Sequence, residues 1–298
     1  MSLENDEYLA GQAMQRRAYD QAVGLLRPLA ERNSEYALLA LGWIYETGVN
    51  GMLDKVAARS FYELAASQGS APAQLYLGQL LFNNGEEVEA RAAFEEGARR
   101  GNEDCKSKLA RLSDRAEEKS AEQALEKGNF EEAVRLLRRL ADRKSRWALL
   151  CLGAISERGD AGTPDWESAR NLYERSASLG SAAAYFELGR LLRRQGEESK
   201  ARAAFQAGAE HGSLPSMSRL GKMMVEGCGG PIDVDAGRTW LEKAAQGGQI
   251  WAQAELLHIK YRSARSLSEK AWVKIRLAKL ALKGAREIAK DPSSDKVR

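Results

Sequence analysis

Apolar residues along this chain recur at intervals of three and four. Ala58, Phe61, Tyr62, Ala65 and Ala66 share one face of a helix, and Ala90, Ala93, Phe94 and Gly97 do the same further on. Each amphipathic run ends close to Ala-x-x-Gly. Ahead of it stand a Leu-Gly pair, a short apolar stretch and a further glycine. The pairs are Leu41-Gly42, Leu77-Gly78, Leu152-Gly153, Leu188-Gly189 and Leu220-Gly221, and the glycines after them are Gly48, Gly85, Gly159, Gly196 and Gly227. The unit this predicts is a helix, a turn and a second helix.

The units are themselves duplicated. With Ala30 set over Ala141, a shift of 111 residues, AERNSEYALLALGWIYETG lies over ADRKSRWALLCLGAISERG without a gap. At the same shift NNGEEVEARAAFEEGARRG lies over RQGEESKARAAFQAGAEHG. About half of the positions between Asp20 and Leu109 match their partners, the mark of a tandem duplication. The first module is expected over residues 6–112. The second, with one additional unit, is expected over residues 113–257. Between Leu112 and Gly128 the segment LSDRAEEKSAEQALEKG is charged and has no proline, so it reads as helical continuation and not as a flexible linker. The second module is therefore expected to run on from the first as one elongated body.

Packing explains the small residues. Gly42 and Ala66 let antiparallel helices approach closely, and Phe61, Phe94, Phe205 and Trp240 are expected to fill the gap to the next unit. Gly48 and Gly69 fall just past helix ends, where a left-handed cap costs glycine least. Asp54, Asp165 and Asp233 open second helices, where a carboxylate accepts orphan amide hydrogens.

These residues resemble a known superfamily. Leu77-Gly78, Leu81, Ala90, Phe94 and Ala98 are spaced as in a tetratricopeptide repeat, as are Leu188-Gly189, Leu192, Ala201, Phe205 and Ala209. The longer units LGWIYETGVNGMLDKVAARSFYELAASQG and LGKMMVEGCGGPIDVDAGRTWLEKAAQGG resemble the Sel-one-like repeat, the variant with an extended glycine-bearing loop. The unit from Leu152 to Gly180 belongs with them, although Ser156 replaces the usual aromatic and Thr163-Pro164 alters the loop. RRAYDQAVGLLRPLAERN and KGNFEEAVRLLRRLADRK resemble tetratricopeptide second helices. The resemblance spans nearly all of residues 6–257 and implies an all-α fold, a right-handed α-α superhelix. In that family the first helices line a concave groove that holds a protein or peptide. Secreted bacterial relatives stapled by a cysteine pair in each repeat are disfavoured, because this chain lacks such pairs.

Carried over to this chain, the groove would be lined by Tyr36, Leu39, Trp43 and Glu46, then Leu75, Gln79, Phe82 and Asn83. The second module offers Trp147, Leu150, Glu157 and Arg158, then Phe186, Arg190, Arg193 and Arg194, with Lys222 following. Where the first module has Gln79, Phe82 and Asn83, the second has Arg190, Arg193 and Arg194, so its surface is cationic. Arginine suits bidentate pairing with a carboxylate, which points to an acidic segment with Trp147 and Phe186 as apolar anchors. The competing reading pairs these arginines with Glu187, Glu197 and Glu198 on a solvated face. Trp43 and Trp147 have a similar alternative, packing against the neighbouring unit.

Composition narrows the function classes. Three separated cysteines, Cys105, Cys151 and Cys228, fit neither a disulfide framework nor a metal site, and only His211 and His258 are available for imidazole chemistry. Gly227-Cys228-Gly229-Gly230-Pro231 lacks the Gly-Lys-Ser/Thr ending of a phosphate loop and sits at a repeat's own turn. The expectation is a non-enzymatic adaptor with no cofactor and no metal. Its partner would be a protein or peptide; no nucleic acid is expected, and a monomer is favoured. The opening MSLENDEYLAG has neither a basic n-region nor an apolar h-region, and no apolar run reaches the length of a membrane span, so a cytoplasmic bacterial-type protein is expected.

Charge adds one feature. Residues 258–298 carry twelve Lys or Arg against four Asp or Glu, a net +8, which leaves the first 257 residues with 33 basic and 38 acidic side chains. Leu267, Ala271, Ile275, Ala278 and Leu282, with Trp272 adjacent, predict a basic amphipathic helix from Leu267 to about Ile288, followed by a frayed DPSSDKVR. Capping the end of the repeats is its expected role, with binding to an anionic surface, membrane or nucleic acid, as the alternative.

Overall fold

Serines at a fixed place in each unit start the first helices. Ser34, Ser70, Ser145, Ser181 and Ser213 each accept a hydrogen bond from the amide three residues on, at 3.0–3.3 Å. Asp54, Asp165 and Asp233 do the same for the second helices of the longer units. Gly48, Gly159 and Gly227 close the preceding first helices in the left-handed conformation, with φ of 68°, 75° and 74°.

The resulting computed structural model describes residues 3–290. Among them are sixteen α-helices and one 3₁₀ turn, with no strand. Two compact units divide at Ala116 and Glu117. The first contains α1 (Leu3–Gln15), α2 (Tyr19–Glu31), α3 (Glu35–Thr47), the 3₁₀ turn Val49–Gly51, α4 (Lys55–Ser67), α5 (Ala71–Asn83) and α6 (Glu87–Arg99), with the start of α7 (Glu103–Glu126). The second contains the rest of α7, α8 (Phe130–Asp142), α9 (Arg146–Arg158), α10 (Trp166–Ser178), α11 (Ala182–Arg194), α12 (Glu198–Glu210), α13 (Leu214–Glu226), α14 (Val234–Gln246), α15 (Ile250–Ser263) and α16 (Leu267–Lys290). Within each unit consecutive helices pack as hairpins stacked side by side, the arrangement of a helical solenoid. Residue 258 lies inside α15. DPSSDKVR lies outside the described residues.

The Leu-Gly glycines work differently from the expectation. They are notches for an aromatic ring of the same hairpin. A side chain at Gly78 would meet the Phe94 ring at 2.6 Å, and one at Gly189 would meet Phe205 at 2.7 Å. Gly42 receives Tyr62, and Gly153 receives Tyr173 in the same way. Phe94 and Phe205 therefore seal their own helix pair. Phe61 stacks on Tyr45 of its own pair at 5.8 Å and lines a groove with Arg27 and Ala30 of α2. In α13 and α14 the glycine does bring backbones together: Gly221 and Gly237 face each other, and a Cβ added to either would lie 2.6 Å from the other's carbonyl oxygen.

The C-terminal helix also departs from the expected arrangement. Against α15 it buries Val273 and Gly284, with Leu277 and Leu280 half-buried. The stripe expected to cover the last core instead faces solvent: Leu267 is 87%, Ile275 58% and Leu282 64% exposed.

Candidate protein-binding face

First helices of successive hairpins lie next to one another, so their outward residues touch across the stack. In unit 1 Ser34 donates to Glu7 at 2.6 Å, linking α3 to α1. Tyr36 of α3 stands over Gly11 of α1, and its hydroxyl pKa is raised by burial and by the charge of Glu7. Trp43 rests against Tyr19 of α2 at 6.2 Å, so it is engaged by the preceding pair while still exposed at its edge. Phe82 is half-buried in the unit 1 core. Gln79 donates to Asn83 at 3.0 Å and accepts from Lys108 of α7.

Unit 2 concentrates charge on the corresponding face. Glu157 of α9 is the hub, with only 4% of its side chain exposed. Tyr173 donates to one of its oxygens at 3.0 Å, Arg190 of α11 at 2.6 Å, and Arg194 reaches the other oxygen at 2.7 Å. Burial alone would raise the Glu157 pKa. The hydrogen bonds and charge of Arg190, with Tyr173 and Arg194, outweigh it and hold the carboxyl below its usual range. Arg190 also donates to Glu187 at 2.7 Å. Arg194 additionally lies 5.9 Å from the Trp166 ring. Two of the three arginines are thus turned inward as counter-ions.

The third behaves otherwise. Among the described residues Arg193 pairs with Glu198 alone, at 3.5 Å, and its charge is felt by Arg219 of α13. There Arg219 lies with its guanidinium 4.5 Å from the Trp251 ring of α15. Burial lowers the Arg219 pKa and the charge of Arg193 lowers it further, with Glu255 acting the other way. No carboxylate forms an ion pair with Arg219 among the described residues. Lys222 completes the group, 5.3 Å from Trp251 and paired with Glu255 at 3.1 Å. Trp147 and Phe186 are half-buried at the edges of the unit 2 cores, Phe186 against Phe205 at 5.9 Å.

Sequence reasoning named Arg193 and Lys222 but missed Arg219, Trp251 and Glu255. Two signals pointed to them. Arg219 stands beside the Leu220-Gly221 pair and matches Lys108 at the 111-residue shift. The segment AAQGGQIWAQAELL also repeats AASQGSAPAQLYLG, but leucine at 257 replaces the glycine that marks other first helices.

Burial pushes the Cys151 thiol up to about 11, with Glu122 adding to it, and raises that of Cys105. The loop from Gly227 to Pro231 packs on the start of α12, where Arg202 donates to the Pro231 carbonyl at 3.0 Å. No cluster of His, Cys, Asp or Glu among the described residues has metal-binding geometry. No helix among them is long and apolar enough to cross a membrane.

Comparison with known proteins agrees with this architecture. The Sel1 repeat family matches residues 35–70, 71–95, 118–145 and 214–249, and a tetratricopeptide repeat family matches residues 164–214, together more than half of the chain. A Sel1 repeat protein from Oxalobacter formigenes superposes with a TM-score of 0.62 over 87% of each chain at 23% identity. A protective antigen of uropathogenic Escherichia coli with an SLR fold superposes with a TM-score of 0.56 at 25% identity. That match covers 83% of this chain but only 62% of the antigen's length. No curated protein matches the chain. The notched hairpins, the serine-capped first helices and these matches make the chain a member of the Sel1 and tetratricopeptide repeat superfamily.

Proposed function

We propose that this protein is a non-enzymatic scaffold that holds an acidic segment of a protein partner against the first-helix face of unit 2. The contact residues in this reading are Arg193, Arg219, Lys222 and Trp251, with Phe186 as an apolar neighbour. One observation carries it. Arg219 is half-buried, lies beside another arginine and forms no ion pair among the described residues, so an incoming carboxylate meets one guanidinium without an ion pair and a second held by Glu198 at 3.5 Å. Arg190 and Arg194 lack this property because Glu157 already neutralises them. Tyr36, Trp43, Gln79, Phe82 and Asn83 of unit 1 offer an amide and aromatic surface, where Lys108, the counterpart of Arg219, is bonded to Gln79.

Selection of a random-peptide display library on the full chain tests the proposal. The expected outcome is enrichment of sequences with clustered Asp and Glu whose binding is lost in an Arg193→Glu, Arg219→Glu variant. Enriched peptides without acidic bias, or retained equally by the variant, would refute the assignment.

A further inference from the structure

The exposed stripe on α16 is a second surface, independent of the first-helix face. At 100° per residue, Leu267, Ala271, Ile275, Ala278, Leu282 and Ala285 fall within an arc of about 80°. All six are exposed, and α16 packs on α15 through a different face. Seven Lys or Arg accompany two Glu in this helix, and their placement is ordered. Lys270 and Lys274 border the stripe on one side, Lys279 and Arg286 on the other. Glu269 and Glu287 both project from the far side. Trp272 stands next to the Lys279 border, its ring held by Lys260 at 4.5 Å and Arg276 at 5.1 Å.

An apolar strip bordered on both sides by cations, with the anions opposite, matches an interface between hydrocarbon and negative charge. Aliphatic side chains would enter the acyl boundary while the lysine and arginine stems reach up to phosphates and the indole occupies the headgroup level. We propose that α16 docks lengthwise on anionic phospholipid membranes through Leu267, Ile275 and Leu282. A second copy of the chain fits less well, because two stripes brought face to face would set both cationic borders against each other. Nucleic acid would satisfy the cations but press the aliphatic strip against phosphate.

Vesicle co-sedimentation of the full chain tests this, using phosphatidylcholine alone and phosphatidylcholine mixed with phosphatidylserine. Binding is expected only with phosphatidylserine. The Ile275→Glu, Leu282→Glu variant should bind at least about tenfold more weakly with an unchanged melting temperature, since both residues are exposed. A Lys279→Glu, Arg286→Glu variant tests the border separately, and it too should lose binding. Absence of binding to the mixed vesicles would overturn the proposal. So would full binding by the Ile275→Glu, Leu282→Glu variant, a stripe-dependent change of mass in light scattering, or capture of duplex DNA in place of vesicles.

Discussion

Glu157 and Glu46 occupy equivalent positions, 111 residues apart, and each accepts a hydrogen bond from the tyrosine that fills the glycine notch, Tyr173 and Tyr62. Only Glu157 is enclosed by arginines, because Arg190 and Arg194 stand where unit 1 has Gln79 and Asn83. Replacing Glu157 by Gln leaves two guanidinium groups without their shared partner and should cost about 1–3 kcal/mol, less than the roughly 3–5 kcal/mol of a fully buried pair because both arginines are partly solvated. The pH dependence has a definite sign. A carboxyl held below its usual pKa in the folded state stabilises the fold above its unfolded pKa and loses that contribution as the pH falls through the folded one. The melting difference between wild type and Glu157→Gln should therefore be full above about pH 5 and shrink in stronger acid. A difference constant down to pH 2 would contradict the ionic role.

Helix hairpins were readable in the sequence because two periodicities coincide, the 3.6-residue apolar spacing and the longer return of Leu-Gly. α2, α8 and the charged α7 follow the expected spans closely. The function of the notch was not readable, since a glycine in a pattern does not say whether a backbone or a ring fills its space. That distinction predicts opposite outcomes for one substitution. Gly189→Ala forces its methyl into the Phe205 ring and should destabilise by about 1–3 kcal/mol in thermal unfolding. Gly24→Ala, on the exposed face of α2 with nothing within 4 Å, should stabilise by about 0.5–1 kcal/mol. Equal effects would mean that helix propensity, and not the notch, governs these positions. The first-helix face was half legible for a similar reason. Charge type can be read from residues, whereas which arginine is neutralised depends on the buried carboxylate it meets across the stack.

Over the whole molecule, the slight positive charge conceals an acidic body and a basic C-terminus, and each carries one of the two proposed cationic surfaces. The face of α11, α13 and α15 is built from cations set among carboxylates and aromatic rings, suited to a discrete acidic segment. On α16 the cations border an aliphatic stripe, suited to an extended anionic surface. The central claim is the division of labour within the arginine cluster, and fluorescence anisotropy with a labelled oligoglutamate peptide tests it most directly. Titrations would compare wild type, Arg193→Glu with Arg219→Glu, and Arg190→Gln with Arg194→Gln, each with its melting temperature. Loss of binding is predicted for the first pair, and retained binding at a lowered melting temperature for the second. The reverse pattern, with binding lost only in the second pair, would contradict the account.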